Sequence, residues 1–250
     1  MSENNALIVG ISGCSSSGKT TLARLLRDIF PNTFILHEDD FYRPENELPT
    51  KNGLLDWDCA ESLDIPAMAE SLAYIRQHAA FPPSLDSKED KNSVGKCPVP
   101  DAIIEAQRAK VDAALGPDHP LRNNLRLCLL DGFLLFSPSM AAVKPNLDIK
   151  LFLRTTYAKA KARREARDGY VTLEGFWADP PGYVDKIVWP NYVEEHAWMF
   201  ENGNVEEEFK KDVLDREGIK VQSDGGADGD IEMTFEWTVN TILEELGKQV

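Results

Sequence analysis

Residues 6–30 read ALIVGIS (6–12), GCSSSGKT (13–20) and TLARLLRDIF (21–30), and this stretch decides the fold. The first segment is a short continuous apolar run, the pattern of a strand buried on both faces. From Thr20 to Phe30, apolar residues recur at Leu22, Leu25, Leu26 and Ile29, one face of a helix, and Pro31 ends it. Between them, Gly13, Gly18, Lys19 and Thr20 satisfy G-x-x-x-x-G-K-[ST]. A chance match in a chain this long is on the order of one in a hundred from average residue usage. The setting, strand before and helix after, is the one the motif requires. Glycines let the backbone curl so that successive N–H groups, those of Ser15, Ser16 and Ser17 among them, point at phosphate oxygens. The helix N-terminus adds partial positive charge. Lys19 reaches the β- and γ-phosphates of a nucleotide, and the Thr20 hydroxyl ligates Mg²⁺. Thr21 reads mainly as a helix residue, with its hydroxyl within reach of the α-phosphate.

Outward from this loop, short apolar runs at Thr33–Leu36, Leu125–Leu130 and Leu147–Leu153 read as further buried strands. Helical spacing is seen over Ser62–Gln77, in a basic segment through Arg167, over Tyr183–Phe200 and over Ile231–Leu246. Strands alternating with helices predict an α/β fold with a mostly parallel sheet. Residues 79–123 read as an insertion in a single 1–250 domain. It comprises a Pro-rich loop at 79–100 and a helix over about 101–115, with Asp101 as its cap and Gly116-Pro117 as its stop. It has too few large apolar residues for a core of its own. Ser223–Asp230 is turn-rich. Leu125–Leu130 ends in Asp131, the form of the second nucleotide-site element: an apolar strand delivering a carboxylate near the metal, through a bound water.

Composition bounds the partners. The 250 residues carry 27 Lys+Arg against 42 Asp+Glu, a net charge of −15, which argues against a nucleic-acid surface. No apolar run approaches a membrane span, and the first residues carry no basic leader, so the chain is expected to start at or near Met1. Cys14, Cys59, Cys97 and Cys128 are too scattered for a zinc site or a disulfide framework. Reduced, mostly buried thiols in an intracellular protein are the expectation, with a cytoplasmic location and the nucleus left open.

Three segments are candidates for the acceptor side. His37-Glu38-Asp39-Asp40-Phe41-Tyr42 follows the second strand, at the strand end where open α/β sheets bind ligands. A carboxylate there can take the proton of a substrate hydroxyl; a solvated acidic loop fits the spacing equally well, and His37 reads as a packing residue. Trp57 beside Asp58 offers a stacking face and a hydroxyl-binding group, although a buried Trp is more often core. Lys159–Arg167 (KAKARREAR) is the one strongly basic stretch. It reads either as a solvated helix face or as an arginine clamp on phosphates. Residues 168–183, rich in glycine, proline and aromatics, would form a flap beside it.

Together, GISGCSSSGKTTLA, HEDDFYRPE, KNGLLDWD, LLDGFLLF, KARREARDGY and FWADPPGYVDKIVWPNY occur in the order and spacing of nicotinamide riboside kinases, the fungal members above all. The resemblance covers nearly the whole chain outside 79–123 and about 202–230. It implies a five-stranded parallel sheet flanked by helices with a lid, as in uridine and nucleoside monophosphate kinases. It implies phosphoryl transfer from ATP, with Mg²⁺, to nicotinamide riboside and usually nicotinic acid riboside. By the same resemblance, Asp39 is the proton acceptor and sits by Mg²⁺ with Thr20 and Asp131. Asp40, Phe41 and Tyr42 belong to its substrate-binding turn. Asp58 holds the ribose hydroxyls with Arg164 as partner, Trp57 and Tyr170 flank the pyridine ring, and Arg163 and Arg167 lie along the ATP phosphates. Residues near Asp224–Ala227 would touch adenine. Two departures stand out: Trp57 falls where other members use Tyr, and the flap from Arg167 to Pro180 is longer than in animal members.

The expected partner is a small-molecule nucleoside, for a monomer or weak homo-oligomer with no nucleic-acid or membrane partner. The alternative within the class is a uridine/cytidine-type kinase. A GTP-dependent switch should carry Asn-Lys-x-Asp, which the sequence lacks. A dead nucleotide-binding scaffold fits poorly with Lys19, Thr20 and Asp39 all in place.

Overall fold

The computed structural model describes residues 5–85, 87, 96–172, 175–222 and 230–248. The elements in chain order begin with β1 (Ala6–Gly13), α1 (Lys19–Ile29) and β2 (Thr33–His37). A small hairpin, β3 (Thr50–Lys51) and β4 (Leu54–Leu55), precedes α2 (Ile65–His78), α3 (Asp101–Ala114) and α4 (Pro120–Asn123). Next come β5 (Arg126–Asp131), β6 (Ile149–Leu153) and α5 (Tyr157–Glu165). A second hairpin, β7 (Tyr170–Val171) and β8 (Phe176–Trp177), leads to α6 (Trp189–His196), α7 (Lys211–Glu217), β9 (Ile219–Val221) and α8 (Ile231–Gly247). The main sheet has the order β2-β5-β1-β6-β9, with every pairing parallel.

The central strands are apolar throughout because both faces are covered. Along β1, Ile8 packs into a cluster with Met68 and Leu72 of α2, while Val9 joins Leu26 of α1 and Val239 of α8 on the other face. This alternation is the two-residue period of a strand. In register, Asp131 lies opposite Ile11 of β1 and His37 of β2. The carboxyl ends of three neighbouring strands therefore converge at the phosphate-type loop, the acidic turn and Asp131. A third, smaller cluster packs Trp57 against Tyr183, Val184, Ile187 and Val188.

Several expectations are corrected here. The helix expected from Ser62 begins at Ile65, where Asp64 caps it by accepting from Ala67 N–H at 3.0 Å. Asp101 is not a cap: Pro100 holds that position and Asp101 sits in the first turn, where its charge still suits the helix dipole. The segment expected as one helix over Tyr183–Phe200 is a π turn (Val184–Val188), then α6, then a 3₁₀ turn (Ala197–Met199). Pro190 has no N–H to donate back one turn, so a uniform ladder cannot run through it. Within the insertion, read from sequence as having no core of its own, Val99, Val111, Leu115 and Leu121 are buried in the same cluster as Leu25 and Val239. Its few large apolar residues extend an existing core. Residues 86 and 88–95 of the Pro-rich loop lie outside the described residues.

All four cysteines are free; Cys14 and Cys128 are buried, Cys59 is half-buried and Cys97 is exposed. No described helix is long and apolar enough to cross a membrane.

Candidate active site

The loop after β1 is shaped by two glycines. Gly13 has φ 144°, and a Cβ there would run into the Leu153 carbonyl oxygen of β6. Gly18, at φ 101°, occupies the cap position of α1. Between them Ser17 N–H bonds back to Cys14 O at 3.1 Å. Lys19 is buried and its Nζ donates to Cys14 O at 3.0 Å, so the ammonium is drawn inside the loop. Ser16 Oγ and Ser17 Oγ are buried without a hydrogen-bond partner. That is costly unless a ligand satisfies them.

Residues 15–21 line one end of a cavity of about 870 Å³. That volume holds a substantial ligand. Asp39 and Asp131 line it beside them. Burial raises Asp39 above the usual carboxylate value and the Asp131 charge adds to this, while Lys19, His37 and Arg167 oppose it. Burial pushes Asp131 the same way, but the hydrogen bond from His37, the Lys19 charge and a hydrogen bond from Thr20 outweigh it and hold Asp131 low. His37 Nδ1 lies 3.4 Å from Asp131 Oδ2. The residue expected to do no more than pack thus faces the carboxylate. Tyr42 lines the cavity, whereas Gly13, Asp40 and Phe41 do not, and Phe41 is buried in the main core.

At the other end, Asp58 and Arg164 form a buried bidentate pair, with bonds of 2.9 and 3.1 Å. Burial raises Asp58 to about 6 against the opposing Arg164 charge. The Asp58 loop is fixed by Asp56, which accepts from Asp58 N–H and from Asn191 Nδ2. Trp57 is both wall and core: it lines the cavity and is 4% exposed. Its N–H donates to Tyr183 Oη at 3.0 Å, and its ring meets Tyr42 edge-on at 5.2 Å. Trp177 tilts against it at 5.6 Å. Tyr170 lies under two guanidinium groups, Arg167 at 4.2 Å and Arg164 at 4.9 Å. Arg163 lines the cavity near the loop, its Nη1 donating to Ser16 O at 3.4 Å. Beyond the loop the cavity runs on to Gln222, Ile231 and Thr234. Residues 223–229, which contain the expected adenine contacts near Asp224–Ala227, lie outside the described residues, as do 173–174 of the flap.

Two carboxylates were missed by sequence reasoning. Glu38 is fully buried; its Oε2 accepts from the N–H groups of Phe133 and Leu134, and burial raises it to about 8. It ties the acidic turn to the turn after Asp131. Asp179, within the quoted FWADPPGY, bonds Arg164 at 2.7 Å. Asp179 is a lone acidic residue with no spacing signal, and nothing in the sequence of the acidic turn separates Glu38 from Asp39 and Asp40 beside it.

Chemically, the arrangement offers an anion-binding loop, a buried carboxylate (Asp131) and a half-buried one (Asp39) beside it, and an aromatic, carboxylate-lined end that suits a sugar and a flat ring. Among known proteins, the nicotinamide riboside kinase of Schizosaccharomyces pombe is 40% identical over 244 residues, 96% of this chain and 97% of that protein. The nicotinamide riboside kinase of Saccharomyces cerevisiae is 34% identical, covering 82% of this chain and 84% of its own. Human nicotinamide riboside kinase 2 is 31% identical over 79% and 70% of the two chains. No protein-family model matches. Among solved structures, a possible uridine kinase from Bacillus stearothermophilus aligns over 78% of this chain and 85% of that one, at 15% identity and a TM-score of 0.41, too loosely to support any argument.

Proposed function

Because the chain belongs to the nicotinamide riboside kinase family, we propose that it phosphorylates the ribose 5′-hydroxyl of nicotinamide riboside at the expense of ATP. The products are nicotinamide mononucleotide and ADP, a step of NAD biosynthesis. The observation that carries this reading is the single cavity joining the phosphate loop to the Trp57–Asp58–Arg164 end. It has room and chemistry for a donor nucleotide and an acceptor nucleoside meeting at Asp39.

The donor set fits Mg²⁺. Asp39 is half-buried and Asp131 buried, the Asp131 charge raises Asp39, and the Thr20 hydroxyl is bonded to Asp131. Two carboxylates and a hydroxyl are hard oxygen donors, and Mg²⁺ completes its shell with water and substrate phosphates. In our reading Thr20 and Asp39 hold the ion, with Asp131 acting through a water. When bound, it neutralises charge on the β- and γ-phosphate oxygens.

The chain's own groups do the rest. Lys19 and the loop N–H groups hold the β- and γ-phosphates, and Arg163 and Arg167 lie along them. Asp58 accepts the ribose hydroxyls, with Trp57 and Tyr170 bordering the ring. Nicotinamide riboside carries a cationic ring, which aromatic faces attract. Asp39 takes the 5′-hydroxyl proton as the oxygen bonds to the γ-phosphorus and the bond to the β-phosphate oxygen breaks, releasing ADP. Four free thiols fit a reducing compartment, and we assign the reaction to the cytoplasm.

The test is to incubate the protein with Mg·ATP and nicotinamide riboside and to identify the product by mass. Nicotinamide mononucleotide formed by the wild type, at a rate about a hundredfold lower or less in a folded Lys19→Ala variant, is expected. Near-normal turnover by that variant would overturn the reading.

A further inference from the structure

Arg164 has five N–H donors, and the protein uses all of them. Nη1 donates to Ser15 Oγ at 2.7 Å and Asp58 Oδ1 at 2.9 Å, and Nη2 to Asp58 Oδ2 at 3.1 Å and Asp179 Oδ1 at 3.2 Å. Nε donates to Asp179 Oδ2 at 2.7 Å. A guanidinium has no acceptor and no sixth donor. In this arrangement Arg164 therefore has nothing left for a ribose hydroxyl, and hydroxyl recognition falls to Asp58. Each Asp58 oxygen receives one Arg164 bond and keeps lone-pair capacity for a substrate donor.

Asp179 makes this arrangement possible. It does not line the cavity, yet it grips two residues that do: Arg164 by two bonds and Trp177 by the indole Nε1 at 2.9 Å. Trp177 in turn stands against Trp57. One carboxylate thus fixes both the guanidinium behind Asp58 and the second aromatic wall. It also sets the charge of this triad: two carboxylates flank one guanidinium, so Asp58, Arg164 and Asp179 together carry one net negative charge. A cationic ring is favoured there over a neutral ring of similar size.

Building on the functional reading above, we propose that Asp179 is a positioning residue that determines nucleoside specificity. It holds Arg164 and Trp177 in place and makes the ring end selective for a cation.

Steady-state kinetics of Asp179→Asn and Asp179→Glu, with a melting curve for each, test this. Asn keeps the shape and removes the charge; Glu keeps the charge on a longer arm. In Asp179→Asn, KM for nicotinamide riboside should rise about tenfold or more, the scale of a lost charge-assisted hydrogen bond. KM for ATP should stay within about twofold, since the Asp179 carboxylate bonds Arg164 and Trp177 and not the phosphate loop, Arg163 or Arg167. The preference for nicotinamide riboside over uridine should shrink in Asp179→Asn and recover in part in Asp179→Glu. Trp177→Phe deletes the indole donor while leaving a ring. It should raise KM for the nucleoside in the wild type and add little in the Asp179→Asn background, because the bond is already gone. An unchanged nucleoside KM in Asp179→Asn, an equal rise for ATP, or independent effects of the two substitutions would overturn the proposal. Should the wild type phosphorylate uridine alone, the functional reading fails, and the KM comparison is then made on uridine.

Discussion

Asp39 and Asp40 are neighbours in one acidic turn, yet only Asp39 faces the cavity. Asp39→Asn keeps the side chain's shape and removes its basicity and one metal-facing oxygen. It should lower kcat by about a hundredfold or more while nucleotide affinity changes little. Asp40→Asn should be milder; equal losses, or a worse Asp40 variant, would reverse the assignment. The Trp57 sequence reading is open between core and ligand wall, and in the structure the residue is buried in a cluster and also lines the cavity. Trp57→Ala should therefore cost about 3–5 kcal/mol of stability and also reduce the preference for a cationic nucleoside over uridine. A stability loss with an unchanged substrate ratio would confine Trp57 to the core. The P-loop residues were legible because their chemistry forces a spacing. Arg164 was legible only through its motif. Glu38 and Asp179 act by contacts between distant segments, 95 and 15 residues away respectively, and leave no local pattern.

At the scale of elements, the buried strands were readable as apolar runs because their neighbours cover both faces. β9, three residues after a short helix and Gly218 in the left-handed region, is too brief to show a period. The two-residue hairpins are too short to show a period; Leu54 and Leu55 of one and Trp177 of the other pack on the Trp57 cluster. The segment over 183–200 has helical spacing throughout, and only Pro190 hints at its subdivision. At the end of α6, His196 is fully buried, with Nδ1 at 2.9 Å from Tyr192 O. Burial lowers its pKa to about 4. Unfolding restores a value near 6.5. Between those values the unfolded chain binds the extra proton, so this group's contribution to stability falls as pH falls. The loss approaches about 3 kcal/mol once pH reaches 4. Urea unfolding of the wild type and His196→Gln at pH 7 and pH 5 checks it. Burial of Glu38 and Asp58 has the opposite pH sense, but it is common to both proteins and cancels in the difference. The stability advantage of the wild type should shrink by about 2 kcal/mol on going to pH 5; a difference independent of pH would contradict this.

For the whole molecule, a chain carrying net charge −15 nonetheless lines its main cavity with several cations. Lys19, Arg163 and Arg167 line the cavity, and Arg164 is neutralised between Asp58 and Asp179. In our reading, one site thus offers basic groups to the nucleotide and an aromatic, carboxylate-bearing wall to the nucleoside. On that reading the site should favour a cationic nucleoside over neutral uridine or cytidine. The most direct measurement is a competition. Nicotinamide riboside and uridine at equal concentration share limiting Mg·ATP with the wild-type protein, and the two monophosphates are quantified by mass. Nicotinamide mononucleotide should predominate, and its share should fall in Asp179→Asn. Uridine monophosphate as the main product would contradict the account.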